Sequence, residues 1–180
     1  MYTIMIDKNE TIDLEFKRTK EGEKNSVKIC ADRALSSENS IRKSMRLIPL
    51  NSTSQAGYIH LWNFMSRDNA KALKDAISNN FSQASALIID LRGRGGRVDV
   101  IRTIARMLSS QKKPTILIID GESRSAKEML AHRLQGLSHI TLVGEVTAGA
   151  VLPATFEDLT AGAKLMIPSQ RGDSQILPFM

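Results

Sequence analysis

Serine is a weak nucleophile until something activates it, and a helix start is a favourable place to do so. Free amides and the helix dipole there can stabilise a developing oxyanion. Ser125 occupies such a place in Asp120-Gly-Glu-Ser-Arg-Ser-Ala-Lys-Glu128, between an apolar run and a helical pattern. The layout is that of a strand–turn–helix elbow, although G-x-S-x-G itself is absent. A second reading fits equally well. Ser125-Ala-Lys-Glu128 is a capping box, whose serine spends its hydroxyl on a backbone amide, or Ser123 caps the helix and leaves Ser125 free in the first turn. A second strand end, Asp90-Leu-Arg-Gly-Arg-Gly-Gly-Arg97, packs three glycines into one turn. Such a turn brings backbone amides close to a ligand, or is simply tight. It is neither a P-loop nor a G-x-G-x-x-G fingerprint.

The elements that must hold these turns follow from periodicity. Thr11–Lys17 and Val27–Ala31 alternate with period two around a polar Lys20–Ser26 turn, placing Ile12, Leu14 and Phe16 on one face of a hairpin. Cys30 falls in this hairpin at an expected buried strand position. Met1–Met5 also reads as a strand, Ser36–Ser40 as a loop, Met45–Leu50 as a short strand and Asn51–Ala56 as a second loop. From Gly57 the pattern becomes strand (57–64), helix (68–81), strand (86–91), helix (98–108), strand (115–119), helix (125–134) and strand (140–143). Continuous apolar strands such as Ala86-Leu-Ile-Ile are expected to be covered on both faces. Right-handed crossovers then give a parallel or mostly parallel sheet. The tail around Pro153, Thr155–Leu159 and Lys164–Ile167 suggests short strands. We expect an α/β core over residues 51–180 and a small β-rich segment over 1–50.

Composition narrows the function. With 42% hydrophobic and 24% charged residues the chain is globular rather than disordered. Its apolar runs are far shorter than the roughly 20 residues a membrane span needs, and no secretory signal opens it. One cysteine excludes an internal disulfide and a cysteine-based zinc site. The scattered His60, His132 and His139 make no metal-ligand cluster. A net charge of +6 invites nucleic acid, but one Trp and two Tyr offer little for base stacking and the basic residues are dispersed. Arg92, Arg94 and Arg97 come nearest to a basic cluster.

Four segments occur in a telling order: Gly57-Tyr-Ile-His-Leu, Leu87-Ile-Ile-Asp-Leu-Arg-Gly-Arg-Gly-Gly, Ser123-Arg-Ser-Ala-Lys-Glu and Leu142-Val-Gly-Glu-Val-Thr-Ala-Gly-Ala. Together, over about residues 45–168, they resemble the C-terminal processing (tail-specific) serine peptidases, whose core has the ClpP/crotonase-like fold. The resemblance implies a peptide or protein substrate and needs neither metal nor cofactor. It implies Ser125 as nucleophile, and the amides of Ala126 and of Gly96, or its neighbour Gly95, as oxyanion hole. Family members often carry a PDZ domain before the Gly57 strand, of which residues 1–50 would be a remnant, and often work in the periplasm or elsewhere outside the cytoplasm.

The base departs from the family pattern. The processing branch places a lysine just past its G-E-x-T-x-G stretch, where this chain has Ala150 followed by Val151. This brings the chain closer to the tricorn-like branch, whose histidine precedes the PDZ region and has no clear counterpart here. Lys127 lies two residues from Ser125, about 200° around a helix, and reads as a solvated surface lysine. His132 is about 10 Å along the axis. His60 sits in a strand, where tricorn-like sequences carry a histidine that is not the base, and Glu145 could orient a base. The base is then outside the chain, supplied in trans by another subunit of a homo-oligomer, or absent. In the last case the domain binds peptides or acts as a scaffold without cutting. Acyl-CoA chemistry is implied by the shared architecture alone.

Overall fold

A computed structural model describes residues 10–30, 37–93, 95–151 and 154–168. Nine strands and four α-helices are defined among them. Strands β1 (Thr11–Lys17) and β2 (Lys24–Cys30) form the expected antiparallel hairpin, in register Leu14↔Val27. Strands β3 (Arg46–Pro49), β4 (Gln55–His60), β5 (Ala86–Asp90), β6 (Thr115–Ile119) and β7 (Ile140–Gly144) form one sheet in that order. Only β3 runs antiparallel; β4 to β7 are parallel. Strands β8 (Ala154–Asp158) and β9 (Lys164–Pro168) form a second hairpin.

Helices α2 (Arg67–Asp75), α3 (Val98–Ser110) and α4 (Ala126–Leu134) are the crossovers. Because the strands follow one another in sequence order, right-handed connections put all three helices on one face of the sheet. That face holds the core. Leu87, Ile89 and Leu117 are fully buried against Leu73, Ile104, Leu108 and Leu130. Among the described residues the other face is covered only in part, against the expectation from the apolar runs: Tyr58 is buried on β4, while positions further across the sheet are open. Strand β6 alternates, with Leu117 buried and Ile116 exposed, and Val143 is exposed on β7. A continuous run such as Thr115-Ile-Leu-Ile-Ile records only that both faces are apolar, not that both are packed.

Three local expectations change. Residues read as a loop at Ser36–Ser40 begin helix α1 (Ser37–Ser44). Arg42 pairs with Glu38 one turn earlier and with Asp75 of α2, each at 2.8 Å, while Ile41 drops into the core. Tertiary packing thus overrides a polar local sequence. The 68–81 helix ends early, as α2 gives way at Ala76 to a π turn over Ala76–Asn80 that swings Phe81 under Gly57. A Cβ at Gly57 would lie 2.3 Å from the Phe81 ring, so the strand needs glycine there. Cys30 is exposed, not buried, because the β1–β2 hairpin carries no packed layer among the described residues. The expected strand at Met1–Met5, together with Arg94 and Pro153, lies outside the described residues.

Candidate active site

Both singled-out turns lie at the carboxyl ends of neighbouring parallel strands, β5 and β6, where open α/β sheets place their sites. A carboxylate sits behind each, fully buried at Asp90 and half-buried at Asp120. Asp90, closing β5, is completely buried. It accepts from the Tyr58 hydroxyl (2.7 Å), from the Arg92 N–H (3.0 Å) and from the Arg92 guanidinium (2.8 Å to Nη2). Burial alone would raise its pKa, but these donors outweigh it and bring it down to about 2. Asp120, after β6, accepts from the Gly93 N–H, the Glu122 N–H and the Ser123 hydroxyl. Against the push of burial these bonds hold its carboxyl below the usual range. Asp120 therefore ties the Gly-rich turn to the serine turn.

Ser125 is the N-cap of α4 and carries φ 56°, ψ −119°. It is the one non-glycine residue with positive φ among the described residues. An N-cap ordinarily sits in the extended region, so this backbone is strained and needs support from its surroundings. Glu128, fully buried, supplies that support. Its carboxylate accepts from the N–H groups of Ser125 (2.8 Å), Gly149 (2.6 Å) and Ala150 (3.0 Å). The Ser125 N–H also reaches the Ala150 carbonyl at 3.0 Å. The Ser125–Glu128 pair forms the capping box, in which the Ser125 hydroxyl faces the Glu128 N–H while the Glu128 carboxylate accepts from the Ser125 N–H at 2.8 Å. Ser123 does not cap the helix. Its side chain is buried and shares its hydrogen between Asp120 and the Leu91 carbonyl.

The Gly-rich turn passes directly over the serine. A Cβ at Gly95 would meet the Arg124 carbonyl at 2.8 Å and the Ser125 Cβ at 2.9 Å. Gly96 pairs with Phe64 in a parallel bridge, and a Cβ there would lie 2.4 Å from the Phe64 Cβ. Phe64 donates to the Gly95 carbonyl and accepts from the Arg97 N–H. A parallel bridge of this kind turns the Gly96 N–H away from Phe64.

The basic candidates are arranged differently from the sequence expectation. Lys127 is not a solvated surface lysine but fully buried. It donates to the Trp62 carbonyl (3.0 Å) and the Arg92 carbonyl (2.9 Å). Burial lowers its pKa to about 8 against the opposing charges of Asp120 and Asp90. His60 reaches the same Arg92 carbonyl through Nε2 at 3.1 Å and stacks, tilted, on Trp62. The two candidates thus converge with each other at the start of the Gly-rich turn. His132 is exposed on α4, and His139 bonds the Leu108 carbonyl. Ala150, where the family lysine would stand, accepts from the Ser125 N–H through its carbonyl and donates its own N–H to the Glu128 carboxylate. Among the described residues no side-chain base is hydrogen-bonded to the Ser125 hydroxyl, and no group of three or more His, Cys, Asp or Glu could hold a metal. No helix among them is long and apolar enough to cross a membrane.

The sequence pattern singles out Ser125, the glycines and Ala150, which the structure brings close together, and shows Glu128 only as part of a capping motif. It missed the buried lysine and the two strand-end carboxylates. The signal for the carboxylates was their position at the ends of apolar runs, Asp90 closing β5 and Asp120 just after β6, where an acid is retained only if donors surround it.

The fold can be placed among known proteins. It resembles the photosystem II D1 C-terminal processing protease, with a TM-score of 0.57 and 16% identity over 90% of this chain and 50% of that one. It also resembles a protein described as an S41 protease from Bacteroides fragilis, with a TM-score of 0.58 and 15% identity over 88% and 54%. The tricorn protease matches with a TM-score of 0.52 and 16% identity over 88% and 17%. At these identities the likeness speaks for the fold, and the chain spans about half the length of the first two. Among curated proteins no sequence match was found. The model of Peptidase family S41 matches residues 55–113 and 107–172, well over half the chain. Sheet, turns and family match together define a peptidase domain. The chain belongs to peptidase family S41.

Proposed function

We propose that this domain is a serine-type peptidase, in which Ser125 attacks the carbonyl carbon of a peptide bond. The Ala126 and Gly96 amides receive the oxyanion. The observation that carries the reading is the strained backbone of Ser125 at the α4 N-terminus, directly beneath Gly95. Strain at a non-glycine residue persists where the surroundings enforce it, and such positions cluster at active sites. The start of α4 adds a favourable dipole for negative charge. Substrate, tail specificity and association with a PDZ domain follow from the family resemblance and are proposed on that footing. A fluorophosphonate probe tests the serine. Labelling of the wild type that disappears in Ser125→Ala is expected; labelling that survives the substitution overturns the assignment.

A second reading has its own observation. Ala150 stands where a lysine would activate Ser125, and no side-chain base meets the hydroxyl among the described residues. A domain of this kind binds peptides without cutting them, or works when another subunit of a homo-oligomer supplies the base. Peptide turnover by the isolated chain excludes the binding-only reading. Turnover that rises with protein concentration favours the base in trans.

A further inference from the structure

A buried ammonium is among the more costly groups a core can hold. Lys127 is buried completely, and it spends its charge on two main-chain carbonyls rather than on a carboxylate. Those carbonyls belong to two segments that no hydrogen bond ladder joins at that point. Trp62 follows β4, and Arg92 opens the Gly-rich turn after β5. The turn then runs through Gly93, whose missing side chain would lie 3.8 Å from the Lys127 Nζ, to Gly95 over Ser125 and Gly96 on Phe64.

We propose that Lys127 is a positioning residue, whose ammonium clamps the Trp62 and Arg92 carbonyls together and so fixes the Gly-rich turn over Ser125. The inference rests on the Ser125 reading above. The lysine acts through Arg92 and does not touch the reacting atoms. Its own helix supplies the serine, so one element carries both the nucleophile and the anchor of the turn that crosses it. The charged and titratable groups around it are Asp90, Arg92 and His60 at the ends of β5 and β4, Asp120 after β6, Glu128 on α4, and Arg97 with Asp99 at the start of α3. Phe64 presents its ring 5.8 Å from the Nζ. Asp90 is engaged by Tyr58 and Arg92, and Asp120 by Gly93, Glu122 and Ser123; Glu128 is held by three amides. Asp99 pairs with Arg67 and Arg97. His60 shares the Arg92 carbonyl and keeps part of the clamp when the lysine is removed. Charge assistance roughly doubles the strength of such a bond, so a neutral amine holds the same carbonyls more weakly.

The test compares wild type, Lys127→Met and Lys127→Gln by two readouts. One is amide hydrogen exchange over residues 92–97 against the α3 core. The other is the rate of fluorophosphonate labelling with Ser125→Ala as control. Expected for Lys127→Met is exchange at least about tenfold faster over 92–97 with α3 unchanged, and labelling at least about tenfold slower, with Lys127→Gln intermediate. The wild-type advantage in labelling should shrink above about pH 8, as the lysine loses its proton. Equal labelling in wild type and both variants overturns the proposal, whether or not exchange differs. A wild type that never labels removes the Ser125 reading instead, and with it this one. If Lys127→Met does not fold, Lys127→Gln and the wild-type pH profile decide.

Discussion

Replacing Lys127 by methionine should change how stability depends on pH. The lysine titrates at 10.5 in the unfolded chain and at about 8 in the folded one. Below pH 8 both states carry the proton, and the folded state bears the full cost of burying it, roughly 3 kcal/mol. Between about 8 and 10.5 the unfolded chain binds more protons than the folded one, so wild-type stability rises with pH. Lys127→Met removes the titration but leaves the Trp62 carbonyl without its donor, a loss of about 1–2 kcal/mol. At pH 7 the variant should therefore exceed the wild type by roughly 1–2 kcal/mol. Urea unfolding at pH 7 and pH 10 provides the assay. The wild type should gain roughly 2–3 kcal/mol relative to Lys127→Met between the two pH values, all other lysines and tyrosines cancelling in the difference. A stability difference that stays flat within about 0.5 kcal/mol across that range refutes the buried ammonium.

Four further outcomes follow from the same geometry. Ser125→Gly, which releases the positive φ, should be more stable than Ser125→Ala by about 1 kcal/mol in thermal unfolding; equal stability denies the strain. Ala150→Lys places an amine beside Ser125 and should raise fluorophosphonate labelling at least about tenfold at pH 8–9; no increase means that residue 150 does not face the hydroxyl. Glu128→Gln removes the charge from a carboxylate that accepts from three amides, and should cost about 2–3 kcal/mol while loosening residues 149–150 in hydrogen exchange. Asp90 stabilises the fold fully above about pH 4 and loses that contribution as pH falls toward 2. Asp90→Asn should therefore flatten the acid limb of the stability profile by roughly 2 kcal/mol.

Much of this arrangement was legible in the residues. Period-two and helical patterns fixed the order of strands and helices, and the Gly-rich and serine turns fell where that order put them. What stayed hidden depends on neighbours remote in sequence. Lys127 looks like any lysine on a helix surface until Trp62 and Arg92 are brought to it. Ser37–Ser44 is polar by composition and becomes helical because Ile41 finds the core and Arg42 finds Asp75. The apolar strands carried no mark of which face the helices would choose. Cys30 alternates like a core residue, yet nothing among the described residues lies over its hairpin. The basic residues Lys127 and His60 meet at the Arg92 carbonyl, and Lys127 also holds the Trp62 carbonyl.

The three amides gathered by Glu128 also set a timetable for biosynthesis. Two of them, on Gly149 and Ala150, lie more than twenty residues further along the chain than the carboxylate that holds them. As the polypeptide leaves the ribosome, α4 can form and Ser125 can be exposed while its supports are still unmade. The strained serine turn becomes tenable only once β7 has paired beside β6 and brought residues 149–150 back. The Ser125 turn and the segment that follows β7 are thus completed together.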